Sequence, residues 1–232
     1  MIVSLKRYAA EGLGLGIFMF FACVCVVLLE HPHSAGLAAF PNPLIRRALM
    51  GLAMGLTAVI NVYSPWGKLS GAHINPAVSL TFVALGKLEL KHLPGYALGQ
   101  TVGGTLGVVA AWALTGDRLA DPLTHFAVTA PGPEGVGVAF VAEVLISAGM
   151  MTMALLVSES RFRHLTGLGA GILVALYITF EAPLSGMSMN PARTIASAVI
   201  ANDYGSLWLY FVAPILGMGG AAALVRALCP RR

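Results

Sequence analysis

The sequence predicts an all-α membrane protein of six transmembrane helices and two re-entrant half-helices, arranged as an inverted internal repeat. Three observations predict it. The chain has 232 residues, 57% hydrophobic and only 10% charged, with a mean hydropathy of +0.82, which lies outside the range of soluble domains. Several uncharged stretches approach the roughly 20 residues of helix that cross a hydrocarbon core of about 30 Å. The third observation is a phrase that occurs twice. Ser70-Gly71-Ala72-His73-Ile74-Asn75-Pro76-Ala77 returns 115 residues later as Ser185-Gly186-Met187-Ser188-Met189-Asn190-Pro191-Ala192, followed by Arg193.

The first span is Gly12–Leu29, 18 residues without a charge, entered through Glu11. Lys6-Arg7 before it resembles a signal-peptide start, but the many spans that follow make it a retained helix. Residues 30–43, with Pro32, Pro41, Pro43 and two histidines, read as a loop, and the second span runs from Leu44 to Tyr63. In each repeated phrase, Asn before Pro is a helix start. The Asn oxygen caps free backbone N–H groups, and Pro at the first helical position gives up a donor that had no partner. From Pro76 to Leu85 is ten residues, about 15 Å of helix, or half a bilayer.

The third span, Leu93–Gly116, carries Gly95, Gly99, Gly103, Gly104 and Gly107, small residues that let helices approach closely. A proline-containing loop, 117–134, separates the halves. The fourth and fifth spans are Val136–Val157 and Leu165–Glu181; the second half-helix is Pro191–Ala201 and the sixth span Ser206–Leu228. Val141-Ala142-Glu143 echoes Ala9-Ala10-Glu11, and Gln100 and Pro214 follow their asparagines by 25 and 24 residues. The chain thus divides into repeats 1–116 and 135–232, joined by 117–134, within one transmembrane domain.

Three full spans per half is an odd number, so the halves enter the membrane in opposite orientations. With both termini cytoplasmic, the inside carries Lys6, Arg7, Lys68, Lys87, Lys91, Arg161, Arg163, Arg226, Arg231 and Arg232, against Arg46, Arg47 and Arg118 outside. Ten against three follows the positive-inside rule, and inverted repeats with paired half-helices are a transport architecture. The half-helices would meet N-terminus to N-terminus at the midplane, where their dipoles oppose cations and protons. The non-helical segments before them are allowed at that depth only where buried or lining water. Their carbonyls would form a ladder of acceptors. Asn75 and Asn190 would keep side-chain N–H groups for a passing neutral molecule.

The paired Asn-Pro-Ala motifs, the two matched glutamates and Asn190-Pro191-Ala192-Arg193 resemble the aquaporin/glycerol-facilitator (major intrinsic protein) family over essentially the full length. The resemblance implies a right-handed bundle assembled as a homotetramer, with one pore per protomer. It also implies an outer selectivity filter of Arg193, Met187, Ile178 and, from the second span, Met54 or else Gly55. Water-selective members usually place histidine and an aromatic ring where this chain has Ile178 and Met54. Glycerol facilitators usually carry an aromatic wall at the Met187 position and Asp where this chain has Thr194, whereas Tyr210-Phe211 is closer to the water channels. A filter apolar on three sides and cationic on the fourth resembles channels for polyols, urea, or boric and arsenous acids. The short termini fit a member of a bacterial inner membrane.

Glu11 and Glu143 are candidate supports for the half-helix loops, or else a titrating pair in a proton-coupled secondary transporter. His73 is read as a loop-fixing donor. Glu181, three residues after Ile178, is read as pairing with Arg193 or shaping the outer vestibule, or as a headgroup-level charge. Cys23, Cys25 and Cys229 make no ligand spacing, and Pro230-Arg231-Arg232 after Cys229 is not a prenylation pattern. No metal site, cofactor or nucleophile–base pair is expected, so the chain is not read as an enzyme. The positive net charge of +4 sits in clusters between spans, which argues for a lipid bilayer and against nucleic acid as partner. The expected function is passive permeation of water and small uncharged solutes with exclusion of ions and protons. The alternatives are a strictly water-selective channel, the coupled transporter, and a scaffold with an occluded pore.

Overall fold

The structure, a computed structural model, describes residues 2–229; Met1 and the stretch 230–232, with Arg231 and Arg232 of the charge count, lie outside the described residues. Eleven α-helices and no strand occur among the described residues: α1 Ile2–Glu30, α2 Ala35–Ala39, α3 Pro43–Tyr63, α4 Pro65–Ser70, α5 Pro76–Ala84, α6 Leu93–Thr115, α7 Val136–Ser158, α8 Thr166–Phe180, α9 Ala182–Ser185, α10 Pro191–Ala201 and α11 Leu207–Leu228. Six of them, α1, α3, α6, α7, α8 and α11, are long and apolar enough to cross a membrane. The half-helices are α5 and α10.

The bundle is turned inside out relative to a soluble one. Leu52, Leu98, Leu106 and Leu145 on its outer face are each more than 60% exposed, while Glu11, Gln100, Glu143, Ser147 and Ser197 are fully buried. Apolar side chains over the outer face of six helices long enough to span a membrane fit surroundings of lipid and neighbouring membrane helices rather than water. The chain is a multi-pass integral membrane protein.

Helix pairing repeats across the two halves: α1 packs on α6 as α7 packs on α11, and α3 packs on α8 between them. Glycine sets the closest of these contacts. A Cβ on Gly103 would stand 2.0 Å from the Gly12 carbonyl oxygen, and one on Gly107 2.2 Å from that of Gly16. At the α3–α8 crossing, a Cβ on Gly55 would stand 2.5 Å from the Gly171 carbonyl. Lacking side chains at these points, the backbones come into contact, as in other membrane helix pairs.

Three expectations are corrected. The first helix begins at Ile2 rather than after Glu11, because Lys6 and Arg7 are exposed and the helix continues past them; Glu11 therefore sits in its third turn. The loop between the first two spans contains α2, capped by the Ser34 hydroxyl accepting the Leu37 N–H. Two short helices, α4 and α9, precede the repeated phrases. Each ends on a left-handed glycine, Gly71 at φ 99° and Gly186 at φ 79°, which turns the chain back into the bundle.

Charged groups gather at the two ends. At one, Lys87 pairs with Glu159 at 2.6 Å and Arg226 donates to the carbonyls of Ala84 and Leu85 at 3.3 Å, closing the C-terminus of α5. At the other, Arg46 pairs with Glu30 at 3.0 Å and donates to the Phe40 and Pro41 carbonyls at 2.9 Å. Between them runs a lumen.

Candidate functional site

The half-helices begin as their sequence dictates. Asn75 Oδ1 accepts the Ala77 N–H at 2.9 Å, and Asn190 Oδ1 accepts those of Ala192 and Arg193 at 3.0 and 3.2 Å. The side-chain amides do more than cap. Asn75 Nδ2 donates to the Met189 carbonyl and Asn190 Nδ2 to the Ile74 carbonyl, both at 2.7 Å. Each cap thus clamps the opposite loop, and the two helix N-termini face each other. One N–H of each amide is committed to this exchange, so a single N–H per asparagine is left for a passing molecule. Pro76 and Pro191 start the helices, and Ala77 and Ala192 pack into the two apolar cores behind them.

The loops leading to the caps are strained in the same places. Gly71, Ala72 and Ile74 have positive φ, and so do Gly186, Met187 and Met189. A left-handed conformation costs a non-glycine residue about 1–2 kcal/mol. It gives the two loops the same path, and the Ile74 and Met189 carbonyls at their ends meet the asparagine amides of the opposite half. The strain is held by a buried glutamate in each half. Glu11 accepts the His73 N–H at 3.0 Å, the Ile74 N–H at 2.5 Å and the Gln100 amide at 2.6 Å. Glu143 accepts the Ser188 N–H at 2.6 Å, the Met189 N–H at 2.7 Å and the Ser185 hydroxyl at 2.9 Å. Hydrogen bonds to a carboxylate are among the strong ones, and here they replace water.

His73 turns its Nδ1 to Ser79 Oγ at 3.0 Å, beside the rings of Phe82 and Tyr96. Two tyrosines that sequence reasoning did not single out as supports complete the scaffold. Tyr96 OH donates to the Ser70 carbonyl and Tyr210 OH to the Ser185 carbonyl, each at 2.6 Å. Their signal in the sequence is position: they follow Asn75 and Asn190 by 21 and 20 residues.

A lumen of about 490 Å³ runs past both loops. Its wall includes Asn75, Asn190, Met54, Ile178, Met187 and Arg193, with Glu30 and Arg47 also on it. Met54 lies on the wall whereas Gly55 packs against α8. Seven of the ten methionines line it: Met50, Met54, Met150, Met151, Met187, Met189 and Met218. They come from four different segments, α3, α7, the loop before α10, and α11, which is why no sequence pattern announces them. Arg193 is fixed from the loop between the halves. Its Nη1 donates to the Ala127 carbonyl at 3.1 Å, presented by a left-handed turn at His125, Phe126 and Ala127. The same turn is pinned by Ser197 Oγ on the Phe126 carbonyl at 2.7 Å and by His125 Nε2 with Asp203 at 3.0 Å.

Glu181 is a correction. It neither pairs with Arg193 nor lies on the lumen wall; α9 turns its carboxyl inward, where it meets the Ser185 hydroxyl. Among the described residues no group of three or more His, Cys, Asp or Glu is placed to hold a metal.

The profile of the family described as "Major intrinsic protein" matches residues 1–226. Aquaporin NIP1-3 of Oryza sativa subsp. japonica is 32% identical over 213 residues, 91% of this chain and 70% of that protein. Aquaporin NIP1-2 of Arabidopsis thaliana is 32% identical over 218 residues, 92% of this chain and 70% of its own. The X-ray structure of the aquaglyceroporin from Plasmodium falciparum superposes with a TM-score of 0.85 at 21% identity, covering 98% of both chains, which identifies the fold. Two inverted half-helices clamped cap to loop, a continuous lumen and a family match across nearly every residue converge on one conclusion: the chain belongs to the major intrinsic protein family.

Proposed function

We propose that this channel passes small uncharged hydroxylated solutes, of the polyol, urea, or boric and arsenous acid type, together with water, and excludes ions and protons. The observation that carries the reading is the common lumen of Met54, Ile178, Met187 and Arg193. Three apolar side chains offer no hydrogen bonds to replace the shell of a hydrated ion. The guanidinium and backbone carbonyls offer donors and acceptors to a neutral molecule on one side only. The two half-helix N-termini contribute roughly half a positive charge each, and Arg193 adds one more, so the central lumen repels cations.

On this reading Asn75, Pro76, Ala77, Asn190, Pro191 and Ala192 form the central barrier, while Glu11, Glu143 and His73 are supports. Family membership makes the chain a passive channel rather than an enzyme. The two repeats, 1–116 and 135–232 joined by 117–134, form one channel domain. It works as a homotetramer in a plasma membrane of the bacterial inner-membrane type, with both termini cytoplasmic. The coupled-transporter alternative has less support, because the carboxylates of Glu11 and Glu143 are each occupied by two backbone N–H groups. Stopped-flow swelling of proteoliposomes with glycerol, urea and arsenous acid tests the proposal. Non-saturating flux of all three, indifferent to a pH gradient, is expected. Water flux without solute flux would restrict the channel to water, and uphill flux driven by protons would overturn it.

A further inference from the structure

The hydrogen bonds around Ser185 do not balance if both neighbouring glutamates are ionised. Ser185 Oγ lies 2.9 Å from Glu143 Oε1, is in hydrogen-bond contact with Glu181 Oε1, and accepts the Met187 N–H at 3.1 Å. A serine hydroxyl has one proton and two lone pairs. With one lone pair taken by Met187, it can donate once and accept once more. Two carboxylates supply no donor, so one of the two glutamates carries a proton.

The surroundings decide which. Glu143 already accepts the backbone N–H groups of Ser188 and Met189, one on each oxygen, and such donors favour the charged form. Glu181 has no such help. Its Oε2 is buried without a hydrogen-bond partner, the residue is 9% exposed, and no ion pair to it forms among the described residues. An ionised carboxylate there would be left without compensation.

We infer that Glu181 is held as a neutral carboxylic acid. Its O–H donates to Ser185, Ser185 donates to Glu143, and this relay positions Met187 on the lumen wall. The first half needs no proton at the matching place, since the Gln100 amide supplies Glu11 with its third donor at 2.6 Å. The groups around Glu181 are Glu143 on α7, the Tyr177 hydroxyl on α8 and Tyr210 on α11. The two cations on the lumen wall are engaged elsewhere: Arg193 donates to the Ala127 carbonyl at 3.1 Å and Arg47 to the Thr179 carbonyl at 3.1 Å. Glu181 is a positioning residue, acting through Ser185 and Met187. When it ionises as pH rises past its burial-raised value of about 7, two carboxylates compete for one hydroxyl, and the Ser185–Met187 segment loses an anchor.

The test uses the full chain in lipid. Infrared spectra of the wild type should contain a protonated-carboxyl C=O band that is absent in Glu181→Gln. Gln can donate its amide N–H to Ser185 but cannot titrate. Glu181→Gln should therefore keep the wild-type glycerol-to-water flux ratio in mild acid and hold it into alkali, whereas the wild-type ratio shifts by a few-fold as pH rises through about 7. Glu181→Leu, which cannot donate, should show the alkaline ratio at every pH. A band that survives in Glu181→Gln, or a wild-type profile as flat as that of Glu181→Gln, would overturn the inference. The flux arms rest on the channel reading above, and the band does not. Absent solute flux with the band present would refute only that reading's solute selectivity.

Discussion

Replacing Glu11 with Gln tests what holds the first loop in its strained path. In the wild type the carboxylate accepts three donors, at 3.0, 2.5 and 2.6 Å. A carboxamide has one acceptor oxygen. Turned toward Ile74 and Gln100, it leaves its own NH₂ facing the His73 N–H, donor against donor. One charge-assisted bond is lost, worth about 1.5–3 kcal/mol, and a buried N–H is stranded at about 1–3 kcal/mol more, so a total near 3–5 kcal/mol is expected. That exceeds the 1–2 kcal/mol of a left-handed residue, so Ala72, at φ 51° and joined to the stranded His73 N–H, should relax. The shift carried along the loop should weaken the bond from Asn190 to the Ile74 carbonyl. The central clamp then opens from one side. Glu11→Gln should lower the thermal transition of the purified channel in detergent and reduce water and glycerol flux together, since the lesion lies at the clamp rather than at the filter. Wild-type stability and flux in Glu11→Gln would refute the account of the glutamate as a support.

Three further outcomes follow from other sites. Ile178→His with Met54→Phe adds bulk and a donor to the lumen wall, and should suppress glycerol and urea flux more than water flux in the same liposomes; equal loss of both would count against these positions as the filter. Gly103→Ala puts a Cβ 2.0 Å from the Gly12 carbonyl, so α1 and α6 must part by roughly 1.5 Å to reach ordinary contact. The cost is about 1–3 kcal/mol, read as a lower melting temperature, and an unchanged one would contradict the packing. The carboxyl of Asp203 is held below its ordinary value of 3.8 by the His125 hydrogen bond and by the Gly205 N–H. A depressed value stabilises the fold above the unfolded pKa and is lost as pH falls through the folded one. Asp203→Asn should therefore melt below the wild type near neutrality, and the two curves should converge below about pH 3.8; a gap that persists in acid would exclude the pairing.

What could be read from the sequence was what depends on neighbours along the chain. Asn-Pro writes a helix start in two adjacent residues, and the ten-residue run after Asn75 fixes a half-span, so both half-helices emerged within a residue of their ends. Glu11 and Glu143 stood out because a carboxylate in an apolar run is rare and theirs are symmetric. The remainder depends on contacts between distant segments. The uncharged run after Glu11 puts the start of the first span at Gly12, but a helix is interrupted by backbone chemistry and not by charge, so α1 extends back to Ile2. The role of Glu181 is set by a serine four residues away that also faces Glu143, a relation visible only once α7 lies beside α9. The methionine wall belongs to no motif at all, because side chains from separate helices meet only in the folded lumen.

The reciprocal clamp between Asn75 and Met189 and between Asn190 and Ile74 constrains biogenesis. Its partners are separated by 114 and 116 residues, so the first loop has no mate until the second half has been synthesised and inserted. For that interval the Ile74 carbonyl and the Asn75 amide sit in or near hydrocarbon without each other's counterpart, a condition a bilayer penalises heavily. The first half-helix is therefore an unfinished element during translation, either waiting at the interface or shielded by another protein. The clamp can close only once both halves are in place, and each loop takes its final hydrogen bonds from the other half.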